Sequence, residues 1–165
     1  MRPGVRLACD VGSVRIGLAR SDATGMMAVP LDAVPAGPDA IPRVLDTIDE
    51  WEAIDVFVGL PLHLSGAEGA AAGAAREWAR SLAERTDVPV RLIDERLSTV
   101  QAQKALHAGG RSTRQSRSVI DSASAVIVLQ SVLEQEQRSE RVPGERVSPA
   151  ADDVTMDGKE ADEPA

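Results

Sequence analysis

The chain has 165 residues, enough for one well-cored domain and a tail, and 43% of them are apolar. Its formal net charge of -8 argues against a generic nucleic-acid coat, and an aromatic content of 2% (Trp51, Phe57 and Trp78) leaves few platforms on which to stack single-stranded bases. A lone cysteine, Cys9, excludes an intrachain disulfide and reads as a small buried strand residue in a reducing compartment. No signal-peptide pattern precedes the first strand and no apolar run is long enough to span a bilayer, so the expected location is cytoplasmic.

Val5 to Val11 reads as a buried strand that ends on an acid, Asp10. Gly12 and Ser13 turn the chain, and Arg15 to Ser21 returns as an antiparallel partner. Ser21 to Gly25 is a hairpin rich in turn formers, with Asp22 as a turn residue, and Met26 to Val29 is a short third strand. After the loop Pro35–Asp39, Ile41, Leu45 and Ile48 recur at helical spacing, flanked by Val44 and Trp51. Ile54 to Gly59 is nearly all apolar, as expected of a strand covered on both faces. Ser65 and Glu68 have capping-box spacing and predict a helix from there to about Thr86, with His63 in the loop before it. Val90 to Ile93 is a fifth strand, followed by Asp94, Glu95 and Arg96; strand alternation puts Asp94 and Glu95 on different faces.

Ser98 and Gln101 open a further predicted helix, to about Ala108. Arg111 to Ser118 is polar, basic and without apolar period, so a mobile loop is expected. Val119 to about Gln137 is the last predicted helix, with Ala125, Val128, Leu129 and Val132 on one face. From Arg138 onward four basic and eight acidic residues give a net of -4, and a disordered acidic tail is expected over 138–165.

Strand–helix–strand crossovers make the first, fourth and fifth strands parallel, with the hairpin on one side. In open α/β sheets, sites lie beyond the carboxyl ends of such strands. Asp10, the Gly59–Pro61 loop and Glu95 reach that edge, and Asp121 can approach it from the first turn of the last helix. Three carboxylates from distant segments suit hard divalent cations such as Mg²⁺ or Mn²⁺, and two such ions can promote phosphodiester hydrolysis. Singly, each acid has a plainer use: Asp10 as a turn cap, Glu95 as an arginine partner, Asp121 as a helix-terminal acid. Jointly they bracket a basic interval. Arg96, Lys104, Arg111, Arg114 and Arg117 occur between Glu95 and Asp121 without an intervening acid. No P-loop, zinc spacing or serine–histidine motif competes with this reading.

Asp10-Val11-Gly12-Ser13-Val14-Arg15-Ile16-Gly17-Leu18-Ala19 resembles the opening motif of the YqgF/RuvX family. Val58-Gly59-Leu60-Pro61-Leu62 with Ser65-Gly66, Asp94-Glu95-Arg96-Leu97-Ser98-Thr99, and Ile120-Asp121-Ser122-Ala123-Ser124-Ala125 with Ile127-Val128-Leu129-Gln130 resemble its later blocks in order. The resemblance covers residues 5 to about 134. It implies a ribonuclease-H-like α/β fold with a five-stranded mixed sheet flanked by helices, in a nuclease domain over 1–137. It also implies a metal-dependent nuclease with Asp10, Glu95 and Asp121 as catalytic and metal-binding acids, and two Mg²⁺ or Mn²⁺ ions. Nucleic acid would be gripped by Arg15, Arg96, Lys104, Arg111, Arg114 and Arg117. The family is described both as maturing the 5′ end of pre-16S ribosomal RNA and as resolving Holliday junctions. The expected substrate is therefore precursor rRNA or branched DNA, met by a monomer or weak homodimer with no membrane partner. An actin-like ATPase, whose first phosphate motif also runs Asp-x-Gly, and a catalytically silent binding module are the competing classes. The first normally needs two domains around a nucleotide cleft, and the three acids disfavour the second.

Overall fold

A computed structural model describes residues 1–98 and 121–149. Six strands form one sheet: β1 (Arg6–Val11), β2 (Arg15–Ser21), β3 (Ala28–Pro35), β4 (Asp55–Leu60), β5 (Val90–Asp94) and β6 (Glu145–Arg146). Their spatial order is β3-β2-β1-β4-β5-β6. β1, β4 and β5 are parallel, while β2 runs antiparallel to β1 and β3 antiparallel to β2. Helices α1 (Ala40–Trp51) and α2 (Ala70–Ala83) share an apolar core with one face, and α3 (Ala123–Ser139) packs on the other.

Strand alternation explains the two cores. Leu7, Cys9, Val56, Val58, Val90 and Leu92 face α1 and α2, whereas Ala8, Ala19, Phe57 and Ile93 face α3. β4 is buried along its whole length, as its apolar run from Val56 to Leu60 requires, and Asp55 at its start is buried too. Burial pushes the Cys9 thiol up to about 12, with a smaller contribution from Asp10, so it packs as an inert core residue.

Asp22 is a turn residue: its carboxylate accepts from the Met26 and Met27 amides and the Thr24 hydroxyl. Trp51 is half-buried, and the Arg20 guanidinium lies 4.0 Å from its ring centroid.

Four local expectations change. β3 extends to Pro35, past Pro30, because an edge strand tolerates residues that cannot donate to a ladder. α2 starts at Ala70 rather than at the Ser65–Glu68 box. Ser65 instead accepts from the Ala67 amide, the Glu68 carboxylate binds Arg76, and the Glu68 backbone bridges to Leu62. The sheet has six strands rather than five, because Glu145 and Arg146 pair antiparallel with Leu92 and Arg91. The tail expected from Arg138 accordingly does not begin there. α3 runs on to Ser139, and Val142 and Val147 pack against the two cores. The helix expected over 98–108 and the basic loop fall almost wholly in 99–120, outside the described residues, as do residues 150–165.

The far end of α3 carries a buried charge. Glu136 continues the apolar stripe of Ala125, Val128, Leu129, Val132 and Leu133, and is 3% exposed. The fully buried Arg6 donates to both of its oxygens at 3.1 Å. Arg2 joins Glu136 to Asp55, at 2.9 Å and 2.6 Å. Burial alone would raise the Glu136 carboxyl, but the Arg6 and Arg2 guanidinia outweigh it and hold it below the usual range.

Removing one partner of such a buried pair strands the other, so Glu136→Ala is expected to cost about 3–5 kcal/mol in denaturant unfolding. A carboxyl depressed in the folded state stabilises above its unfolded pKa, and that contribution disappears as pH falls through the folded value. The gap between wild type and Glu136→Ala should therefore be full above roughly pH 4.5 and close in more acidic solution. Truncation after Gln137 removes β6, Val142 and Val147. It is expected to lower stability by about 2 kcal/mol or more, whereas truncation after Pro149 leaves those contacts in place; melting curves of both separate the effects.

Candidate active site

The carboxyl ends of β1 and β5 bring two acids together. Ala8 faces α3, so alternation along β1 turns Cys9 away and Asp10 toward the α3 face. Glu95 follows β5 as the first residue of a short 3-10 turn, Glu95–Ser98, and its carboxyl interacts with that of Asp10. Burial first, then the Asp10 hydrogen bond and charge, then Asp94, push the Glu95 carboxyl up to about 8. Glu95 is thereby disposed to keep its proton at neutral pH.

Gly59 makes the close approach possible. A Cβ at this position would collide with Glu95 Oε1, so the β4 terminus forms a floor beneath the Glu95 side chain. Asp94 points elsewhere, as alternation requires. It binds Arg96, with Arg96 Nη2 to Asp94 Oδ2 at 2.7 Å, and this interaction holds the Asp94 carboxyl below its usual range. Arg96 also donates to the Leu64 carbonyl at 3.3 Å, which ties the loop after β4 to the end of β5.

Asp121 stands just ahead of α3, across the neighbouring strand. Its carbonyl packs so closely over Gly17 that a side chain there would collide with it, and Gly17 is the register partner of Asp10. The Asp121 carboxylate faces Arg15, with Nε to Oδ2 at 3.4 Å, and both side chains are substantially exposed at 36% and 55%. Such a surface pair is weakly held in water. Among the described residues no three acids, histidines or cysteines form a metal-holding group. Asp10 and Glu95 are thus joined, while Asp121 lies next to them by way of Gly17 and is turned to Arg15.

Of the expected nucleic-acid contacts, Arg15 and Arg96 flank the two acids and are engaged with Asp121 and Asp94. Lys104, Arg111, Arg114 and Arg117 lie outside the described residues. Sequence reasoning missed the supports. Gly17, Gly59 and Ser122 each stand beside or within a motif around the acids, but their use depends on contacts between remote elements.

Asp10 and Glu95 offer only oxygen donors, and they meet as two carboxyls in need of positive charge. That donor chemistry fits a hard divalent cation. The two carboxyls lie at the carboxyl edge of a mixed sheet, and Asp121, ahead of α3 on the same face, is turned to Arg15.

Comparison with known proteins places this arrangement. The RuvX family model, described as Holliday junction resolvase, matches residues 4–135. A relative from Thermobifida fusca, bearing the name "Putative pre-16S rRNA nuclease", is 49% identical over 155 residues, covering 89% of this chain and 98% of its own. A relative of the same name from Clavibacter michiganensis subsp. michiganensis is 50% identical over 147 residues, covering 87% of this chain and 91% of its own. Among solved structures, Thermus thermophilus RuvC aligns with a TM-score of 0.53 at 17% identity, covering 86% of this chain and 99% of that one. RuvC in complex with a Holliday junction substrate aligns at 0.52 and 16% identity, covering 82% and 97%. At those identities the likeness is one of fold, and the fold is ribonuclease-H-like. Matched by the family model over most of its length and by half-identical relatives along nearly theirs, the chain belongs to the RuvX family.

Proposed function

We propose that this protein is a divalent-metal-dependent nuclease that hydrolyses phosphodiester bonds in the 5′-end maturation of precursor 16S rRNA. The observation that carries the chemistry is the meeting of the Asp10 and Glu95 carboxyls at the carboxyl edge of the sheet, with the Glu95 carboxyl largely buried over Gly59. The names of the half-identical relatives support the RNA substrate.

Asp10, Glu95 and Asp121 are the residues that would hold Mg²⁺ or Mn²⁺, most simply as two ions. When bound, such ions supply Lewis acidity and a nucleophilic water at neutral pH. The protein's part is positional. Asp10 is set by β1, and Glu95 is set by the end of β5 above Gly59. Glu95 must release its proton for both carboxylates to coordinate, so cation binding and deprotonation are linked. To hold a cation Asp121 would give up Arg15, which would then be free to meet a substrate phosphate. Lys104, Arg111, Arg114 and Arg117 supply further phosphate contacts that position the backbone without reading bases. Arg96 shares this role while bracing the loop at Leu64. Among the described residues no helix is long and apolar enough to cross a membrane, and rRNA processing is consistent with a cytoplasmic location. Either a monomer or a weak homodimer serves an RNA substrate.

The family description favours a second reading, resolution of four-way DNA junctions, which would require two sites and therefore a dimer. The two are separated by offering the purified protein, with Mg²⁺ or Mn²⁺, a precursor-rRNA fragment and a four-way DNA junction side by side. Cleavage of the RNA is expected, and preferential paired cuts in the junction would support resolution instead. Asp10→Asn should reduce cleavage roughly a hundredfold or more while the fold persists; wild-type cleavage by this variant would overturn the assignment.

The Glu95 shift makes a separate prediction in metal-free solution. Its folded pKa, about 8, lies above the unfolded value, so the wild type loses stability as pH rises between the two. Glu95→Gln lacks that penalty. Its melting temperature relative to wild type should increase from pH 5 to pH 9 by several degrees, equivalent to about 1–3 kcal/mol after screening. A gap independent of pH would show that the Glu95 carboxyl is not raised in the folded protein.

A further inference from the structure

β2 and β3 change register between Ile16 and Leu18, so Ile16 opposes Val34 but Leu18 opposes Leu31. Ser122 enters at this irregularity. Its side-chain oxygen accepts the Leu18 amide proton at 3.1 Å and donates to the Leu31 carbonyl at 2.7 Å. Leu18 and Leu31 are register partners, so one hydroxyl from the approach to α3 bridges the two strands. Ser122 is completely buried. The residue before it is Asp121, whose carbonyl lies on Gly17 at the same irregularity, directly across β1–β2 from Asp10.

We propose that Ser122 is a positioning residue for Asp121: its bridge locks the start of α3 into the β2–β3 register shift and thereby sets the third acid over the Asp10–Glu95 pair. This rests on the reading of Asp121 as a metal ligand. A carboxylate whose ion-pair partner among the described residues is a surface arginine has freedom to turn, so its backbone must supply the precision. Both bonds of the Ser122 hydroxyl go to backbone groups of the sheet, and neither goes to a side chain. The hydroxyl therefore fixes the height and rotation of the adjacent residue. Gly17 completes the device by allowing the Asp121 carbonyl to rest on the strand. Groups that orient metal ligands from behind typically change affinity or activity by about 10–100-fold when removed.

The test compares full-length wild type with Ser122→Ala, Ser122→Thr, Gly17→Ala and Asp121→Asn. Mn²⁺ affinity is read without nucleic acid, from the electron paramagnetic resonance signal of free Mn²⁺. Cleavage kcat and KM are read on the precursor-rRNA fragment, well below each melting temperature. Ser122→Ala is expected to weaken Mn²⁺ binding and lower kcat, each by about tenfold or more, with KM nearly unchanged. Ser122→Thr, which keeps the hydroxyl, should recover most of both. Should Ser122→Ala fail to fold, Gly17→Ala, which keeps the Ser122 hydroxyl but pushes on the Asp121 carbonyl and the Ser122 Cα, is expected to show the same losses. A lower melting temperature with wild-type Mn²⁺ affinity and kcat, in Ser122→Ala or, failing that, in Gly17→Ala, would make Ser122 a helix–sheet tie and overturn the inference. Wild-type Mn²⁺ affinity and cleavage in Asp121→Asn would overturn the assignment of Asp121 itself.

Discussion

The placement of one helix across one sheet face controls this structure. α3 lies over β1, β2, β3 and β4 and is anchored near both ends by polar groups that have no water to turn to. At its start, Ser122 bridges β2 and β3; fourteen residues later, about 21 Å along the helix, Glu136 is clasped by Arg6 and Arg2. Between these anchors the contact is mainly apolar and adjustable, with Gln130 accepting from the Ala28 amide at 3.1 Å near its outer margin. A leucine or valine stripe can slide or rotate with little change in buried area, whereas a buried carboxylate between two guanidinia has one satisfactory position. The ion pairs therefore contribute registry to the helix as well as cohesion to the opposite end of the sheet.

Close approach is the second requirement, and small residues meet it. The α3-facing surface of the sheet includes Ala8, Ala19, Gly17 and Gly59. Phe57 fills one position of this face, and the aliphatic side chains of α3 fill the rest. Toward the carboxyl edge the layer thins to glycine, which admits the Asp121 backbone over Gly17 and the Glu95 carboxyl over Gly59. The site is thus a place where packing has been withdrawn so that acids can converge. Asp10 and Glu95 do so at a cost visible in the raised Glu95 pKa, a destabilising arrangement of the kind that function retains.

Arginines serve contrasting ends here. Arg2 and Arg6 satisfy buried acids and belong to the architecture. Arg15 and Arg96, at the other edge of the sheet, pair with acids at partly exposed positions. The Arg15–Asp121 pair, in water, is weakly held, whereas Arg96 is fixed by Asp94 and the Leu64 carbonyl.

The periodicities were sufficient for the parallel β1–β4–β5 core, the antiparallel hairpin, α1, and the apolar face of α3, because each is written in local apolar spacing and in the crossover rule. The same reasoning brought Asp10 and Glu95 to one edge and separated Asp94 from Glu95, since strand alternation depends on the chain alone. Where it stopped, the deciding partner was remote in sequence. The Ser65–Glu68 spacing resembles a helix start, but Arg76 takes the carboxylate and a bridge to Leu62 takes the backbone. Glu145 and Arg146 carry no apolar signal, and they form a strand only because the edge of β5 is there to be paired. Glu136 is indistinguishable in sequence from a solvated helix acid until Arg6 is found buried beside it. The local chain determined which residues could form strands, helices and carboxylate-bearing ends. Only the tertiary structure decided which hydroxyl enters the register shift, which glycine lies under which acid, and which charges are buried, because those outcomes depend on groups that meet across the sheet.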